Sequence, residues 1–354
     1  MSLLHTTIRG IYPLDTETMD MARQRQNQLT KPPGSLGRLE DLSIQIAGIT
    51  GQLNPPLQKK HVVVMAGDHG VAAAGVSAYP PEVTPQMVLN FLDGGAAINV
   101  LARHIGADMT VVDMGVAYDI QTDNANFLNR KIAYGTRNMV EGPAMTPAEA
   151  IQAIETGIGV IFQLLDMDGV DLLITGDMGI GNTTPSAAIA SIFTMLPVAD
   201  VTGRGTGLDD EQLAHKVATI EQALSVNQPK RQDALDVLAK VGGYEIGGIA
   251  GLILGAAARR IPVIVDGYIS TAGALIAARL APRAKDYMIS GHVSVEKGHQ
   301  RMLDFLGLVP VLNLDLRLGE GTGATLTASI VEAAAKLLSQ MSTFNEAKIS
   351  NRVA

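Results

Sequence analysis

One pattern recurs along the chain and limits what it can fold into. An apolar, β-branched run of strand length is followed by a loop rich in glycine and aspartate, then by a longer stretch with helical spacing. It occurs in "HVVVMAGDHG" (61–70), "MTVVDMG" (109–115), "VDLLITGDMGIGNTT" (170–184), "IPVIVDGY" (261–268) and "DYMISGH" (286–292). Runs this short and this apolar read as strands covered on both faces. Strands that alternate with helices read as a parallel sheet joined by crossover helices. The expectation is an α/β fold. Both ends lack the pattern: "LGRLEDLSIQIAGI" and "ATLTASIVEAAAKLLSQM" carry apolar residues near helical spacing. The expected division is therefore an α/β domain over 55–322 and a small helical domain built from 1–54 and 323–354.

Several helix starts are written into the sequence. Thr146-Pro147-Ala148-Glu149 is a capping box with proline at the first helical position. Thr184-Pro185 opens "SAAIASIF" in the same way, and Asp209, Asp210 and Glu211 place negative charge where a helix dipole favours it. Gly247, Gly251 and Gly255 share one helix face, which points to close backbone packing against the sheet or a second subunit. The segment around them, "IGGIAGLILGAAARR", is taken as the most lipid-like in the chain, yet it falls short of the roughly 20 apolar residues of a bilayer span. The N-terminus has no basic stretch followed by an unbroken apolar run, so no signal peptide is expected. The expectation is a soluble, cytoplasmic protein.

Composition narrows the chemistry. The chain has 354 residues and a formal net charge of -8, which argues against nucleic acid as a partner, because a phosphate backbone needs a basic face. There are no cysteines, so thiolate catalysis, disulfides and cysteine-based zinc sites are excluded. A small anion is still open as a ligand, since one lysine and a few backbone amides can hold it.

In open parallel sheets ligands bind beyond the carboxyl ends of the strands. Those ends carry Asp68 and His69, Asp113, Asp177 with Gly179 and Asn182, Asp266 and His292. A metal-dependent hydrolase built on Asp68 and His69, with the other carboxylates and His292 completing an oxygen/nitrogen site, is one reading. No HxH, HExxH or EF-hand spacing supports it, and hydrogen bonds that shape the loop are the plainer role. A second feature is "VTGRGTGLDDEQLAHK" (201–216). Gly203 and Gly205 let the backbone turn its N–H groups toward a ligand, a helix begins at once, and Lys216 in its second turn could reach back to a phosphate. This is neither GxxxxGK[ST] nor GxGxxG, so a triphosphate or a dinucleotide is not expected. A plain flexible turn is the alternative.

The third feature is "RLGEGTGATL" (317–326). Asn313, Asp315 and Arg317 alternate with leucines, so a half-buried strand is expected to run into this loop. It looks like a phosphate loop but carries Glu320, whose charge would repel a phosphate. Binding ribose hydroxyls or taking a proton remain. An apolar surround from Leu318, Met178 and Met87 would raise the glutamate pKa toward neutrality, as a general base requires. A solvated loop carboxylate is the competing reading.

Taken together, "KPPGSLGRLE" (31–40), "GDHGV" (67–71), "EVTPQM" (82–87), "GDMGIGNTTPSAA" (176–188), "NQPKRQDALDVLAKVGG" (227–243), "VDGYISTAGAL" (265–275) and "LRLGEGTGATL" (316–326) closely resemble the nicotinate-nucleotide–dimethylbenzimidazole phosphoribosyltransferases, which take part in assembling the lower ligand of cobalamin. The resemblance spans about residues 20–340. It implies a homodimer with a parallel Rossmann-like sheet and a small helical domain from both termini. It implies transfer of the phosphoribosyl group of β-nicotinate mononucleotide to 5,6-dimethylbenzimidazole, giving α-ribazole 5′-phosphate and nicotinate without metal or cofactor. By motif match Glu320 would be the base, with Asp177 in a secondary acid–base or ribose role. Gly179, Gly203, Gly205, Lys216 and Asp266 would bind the nucleotide and its phosphate. Tyr79, Pro80, Met87, Met178 and Leu318 would wall the benzimidazole pocket. Many relatives have glutamate where this chain has Asp177, and smaller or polar residues around Tyr79 and Met87. A non-catalytic protein that binds a nucleotide and an aromatic base is a further alternative.

Overall fold

The computed structural model of the protein describes residues 2–205 and 207–350. Six parallel strands form one sheet in the order β3-β2-β1-β4-β5-β6. They are β1 (Lys60–Gly67), β2 (Asp108–Gly115), β3 (Phe127–Asn129), β4 (Leu172–Met178), β5 (Val263–Val265) and β6 (Met288–Ser290). β1 to β3 build outward in one direction, then the chain returns to the other side of β1 and builds β4 to β6. This reversal between β1 and β4 is the switch point of a doubly wound sheet, beside which ligands bind. All five apolar runs singled out in the sequence became strands; β3 was not foreseen.

The strands are apolar throughout because helices cover both faces. Val63, Met65, Val112 and Leu173 point into one core, and Val62, Val64, Val111, Leu172 and Ile174 into the other. The helix Tyr244–Ala258 is buried almost throughout its length and crosses the helix Pro147–Met167 at backbone contact. A Cβ on Gly251 would lie 2.0 Å from the Ile154 carbonyl oxygen, and one on Gly157 would lie 2.0 Å from that of Gly248. The glycine stripe therefore serves close packing, against a helix rather than the sheet. Pro147–Met167, and not the glycine-rich segment, is the one helix among the described residues that is long and apolar enough by composition to cross a membrane. Here Ala153, Ile154, Gly157, Ile158 and Ile161 are buried against its neighbours.

The capping box predicted at Thr146 forms. Thr146 Oγ1 accepts from the Glu149 amide at 3.2 Å, and Glu149 Oε2 accepts from the Thr146 amide at 2.6 Å. Asp209 and Gln212 make the same reciprocal pair at the start of Asp210–Asn227. The helix expected to begin at Pro185 with Thr184 as its cap begins two residues earlier, as Thr183–Thr194, so Thr184 lies within it and does not cap it. At the chain ends, Thr16–Gln28, Arg38–Thr50 and Thr322–Gln340 pack together, with Ala22, Ala47 and Leu338 at their junction. Thr322–Gln340 also rests on β4 and β5.

One element differs from expectation. The leucine alternation over 312–318 does not form a strand: only Leu312 bridges, to His292, and Leu314 and Leu318 are exposed. Asp315 has φ +54°, a left-handed conformation that breaks strand geometry. The segment instead follows the edge beyond β6 through single bonds, from the Val293 amide to the Leu312 carbonyl and from the Val295 amide to the Leu316 carbonyl.

Candidate functional site

Beyond the carboxyl ends of the strands lies a cavity of about 480 Å³. β4 delivers Asp177 and Met178 to it, and Gly179 to Thr183 follow; β5 is succeeded by Gly267 and Tyr268, and β6 by His292, Ser294 and Glu296. The loop Arg317–Glu320 closes one side, and Val76, Tyr79, Val83 and Met87 another.

Glu320 is held there by an unusual backbone. Gly319, Glu320 and Gly321 have φ of +84°, +65° and +91°, three consecutive left-handed residues. Glycine adopts this region freely, but for a glutamate it costs about 1–2 kcal/mol. The loop lies directly on β4: a Cβ on Gly176 would sit 2.5 Å from the Glu320 carbonyl oxygen. Asp266, fully buried at the end of β5, fastens the far side by accepting from the Gly321 amide at 3.2 Å and the Ala324 amide at 2.9 Å. Its negative charge also suits the N-terminus of Thr322–Gln340. The result is a carboxylate only 6% exposed, whose Oε2 has no hydrogen-bond partner among the described residues.

Burial, and then the nearby Asp266 carboxylate, push the Glu320 pKa up to about 7. Asp177 is raised well above the carboxylate range by burial, and further by Asp266, Glu245 and Glu320. A hydrogen bond from Asn182 Nδ2 to its Oδ2, at 3.1 Å, only partly offsets this. The same bond explains why Asn182 leaves the helix behind it without a side-chain cap. Two acidic groups thus face one cavity with few compensating cations, an arrangement that holds protons near neutral pH.

The other end of the cavity carries positive charge. Lys216 is almost fully buried, its Nζ donating to Thr183 Oγ1 at 2.7 Å, and burial lowers its pKa to about 8 against the pull of Glu296. Thr183 and Gly205 line the cavity in front of it, and Arg317 Nη1 donates to the Gly205 carbonyl at 3.3 Å. A buried ammonium behind a glycine turn can hold a compact anion.

The sequence-predicted residues separate into three groups. Glu320, Asp177, Gly179, Gly205, Tyr79, Met87, Met178 and Leu318 all line the one cavity. Tyr79 and Leu318 stand at its mouth, 54% and 57% exposed, so the apolar wall is deepest at Met178 and Ile180. Lys216 and Asp266 act from behind the lining, and Gly203 borders an adjoining depression shared with Gly205, Glu296 and Arg317. Pro80 does not reach the cavity; its carbonyl accepts from the Val83 amide at the start of a helix.

Asp68, His69 and Asp113 do not join the other candidate metal residues. His69 Nε2 lies 2.8 Å from Glu245 Oε1, and Asp68 Oδ2 accepts from the Ala117 amide at 2.8 Å. Asp113 pairs with Lys131 at 2.9 Å. The His69 ring lies beside Gly179, where an added Cβ would sit 3.5 Å from its Nε2, and among the described residues no group of three or more His, Asp or Glu side chains is placed to hold a metal. Sequence reasoning gave no site role to several cavity residues, among them Glu296, Ser294, Tyr268 and Arg317. Glu296 and Ser294 fall in no motif; only their position just past β6 could have marked them.

A family model described as phosphoribosyltransferase matches residues 11–349. The nicotinate-nucleotide–dimethylbenzimidazole phosphoribosyltransferase of Chloroflexus aggregans is 60% identical over 99% of both chains. The protein of the same name from Geobacter sulfurreducens is 55% identical, again over 99% of both. Among solved structures, CobT from Thermus thermophilus superimposes with a TM-score of 0.91 at 46% identity, covering 95% of this chain and 100% of that one.

Proposed function

Because this chain belongs to the phosphoribosyltransferase family, we propose that it transfers the phosphoribosyl group of nicotinate mononucleotide to 5,6-dimethylbenzimidazole, in assembly of the cobalamin lower ligand. The observation that carries the reading is a single cavity with an unpartnered glutamate of pKa about 7 at one end and a buried lysine behind a glycine turn at the other. The donor's phosphate sits on the Gly205 turn before Lys216. Its ribosyl carbon then lies between the two ends, and the benzimidazole rests on Met178, Met87 and Leu318.

The chemistry needs little help at the leaving group. Nicotinate departs from a cationic pyridinium as a neutral ring nitrogen, and the ribosyl carbon acquires oxocarbenium character. The unprotonated benzimidazole nitrogen attacks from the opposite face, which turns β into α. Bond formation makes the proton on the other ring nitrogen acidic, and Glu320 removes it. A base with a pKa close to the operating pH is matched to that task. Asp177 stands beside it as a secondary acid–base or ribose-binding group, and holding both ligands in one cleft supplies much of the remaining acceleration.

One assay separates this from a metal-dependent hydrolase and from a non-catalytic binder. The protein is incubated with both substrates in EDTA and the products are followed by mass spectrometry. Ribazole phosphate and nicotinate are expected in equal amounts. Ribose phosphate without ribazole phosphate, or no turnover, rejects the transferase. A cytoplasmic homodimer, with domains over 55–322 and over 1–54 with 323–354, belongs to the same proposal, and light scattering tests the dimer.

A further inference from the structure

The phosphate seat just described already faces a carboxylate. Glu296 follows β6, is 8% exposed, and lines both the main cavity and the adjoining depression. The Gly205 amide lies close enough to hold the Glu296 pKa down, so one of the N–H groups offered to a phosphate already acts on a resident anion. The contact with the glycine turn is close: a Cβ on Gly203 would lie 1.9 Å from Glu296 Oε2, which itself has no hydrogen-bond partner among the described residues. A phosphate monoester brings a charge of about -1.5 to -2 to the same place. A fixed carboxylate there would repel it and compete for the same amide.

We propose that Glu296 is a proton-linked gate on the phosphate seat, which takes up one proton as the nucleotide binds and so becomes a donor to a phosphate oxygen. An acid O–H facing a phosphate oxygen makes a short, charge-assisted bond in place of a repulsion. Such a gate makes nucleotide affinity fall as pH rises, by up to about tenfold per unit above the Glu296 pKa.

The surroundings fit a group poised between two states. Burial raises the Glu296 pKa, while Lys216, the Gly205 amide and Arg317 hold it down. Lys216 faces it from the helix Asp210–Asn227, Arg317 from the segment before Glu320, and the Tyr268 hydroxyl from the helix Tyr268–Leu280. On its own segment Lys297 turns away to the Ala199 carbonyl and Asp200, and His299 is kept neutral by burial, its pKa lowered to about 3. Removing the proton again on product release would let the carboxylate reclaim the amide and expel the phosphate.

The inference rests on the proposed phosphate seat, and the test keeps the two apart. Calorimetric titrations of wild type and Glu296→Gln with nicotinate mononucleotide, in buffers of differing ionisation enthalpy, count the protons taken up. At pH 7 Lys216, with its pKa of about 8, is still mostly charged and contributes little. Wild type should take up close to one proton more than Glu296→Gln, and the variant should bind more tightly at pH 8.5 but not at pH 5.5. Nicotinate riboside, which lacks the phosphate, serves as a wild-type control should the variant not fold; the mononucleotide should draw more protons than the riboside. Equal counts in both comparisons, or weaker binding by Glu296→Gln at every pH, overturn the gate while leaving the phosphate seat in place. Failure of wild type to bind the mononucleotide removes both.

Discussion

The two ends of the cavity are built from opposite electrostatic rules. At the Glu320 end, like charges share a dry space: Glu320, Asp177 and the buried Asp266 lie near one another, and the first two hold protons more tightly than ordinary carboxylic acids do. At the Lys216 end, unlike charges face each other, and Glu296 and Lys216 each moderate what burial does to the other. Burying an acid, with other acids beside it, produces a group that exchanges protons near pH 7. Opposing an acid and a base produces a place where an anion can be exchanged. A transferase that must hold a phosphate and remove a proton within one small cleft needs both, kept apart.

Glu320→Gln tests the first rule and carries the largest expected effect. The amide keeps the shape but cannot accept a proton, so kcat should fall by about 10²–10⁴-fold. Nucleotide affinity, measured by calorimetry, should change less than about twofold, because the proposed phosphate seat lies at the other end. Near-normal turnover would dissolve the distinction between the two ends.

Lys216→Ala tests the second rule with a smaller effect. A charge-assisted hydrogen bond is worth about 1.5–3 kcal/mol, so the KM for nicotinate mononucleotide should rise about 10–100-fold. kcat at saturation should stay within a few-fold of wild type. If the benzimidazole KM moved instead, the anion seat would have been placed at the wrong end.

The contrast between the two ends also marks where the sequence was informative. The strands were legible because both faces of the sheet are covered, leaving runs such as Val62–Met65 apolar at every position. β3 was not, since Phe127–Asn129 is short and only half-buried. Glu320 was legible as a candidate, because a carboxylate between glycines is odd chemistry for a phosphate loop, and the fold buries it in the cavity. The route to it was misread: the leucines of 312–318 imitate a strand, while the left-handed turn at Asp315 leaves no mark in the pattern. Glu296 was invisible for another reason. Its partners Gly205, Lys216 and Arg317 come from other parts of the chain, and only the folded sheet brings them to it. Local oddity can be read along a sequence, but opposition of charges across a cleft cannot.

The smallest expected effect is thermodynamic, and it asks whether the acid end is built against stability. The Glu320 pKa in the fold is about 7, against an ordinary value of 4.5. A raised value means that the folded protein keeps a proton which the unfolded chain has already released. Stability from this group is therefore intact below about pH 4.5, falls as pH rises, and stays low once pH has passed about 7. In the Glu320→Gln variant the side-chain amide has no proton to lose. The variant should match wild type near pH 4.5 and exceed it by on the order of 1–3 kcal/mol at pH 8, read from urea unfolding at both values. The left-handed backbone at 320 is unchanged by this substitution, so its strain cancels from the comparison and only the charge is measured. A gap that is the same at both pH values would mean that the carboxylate is solvated in the free protein, and the contrast between the dry acid end and the paired end would be lost.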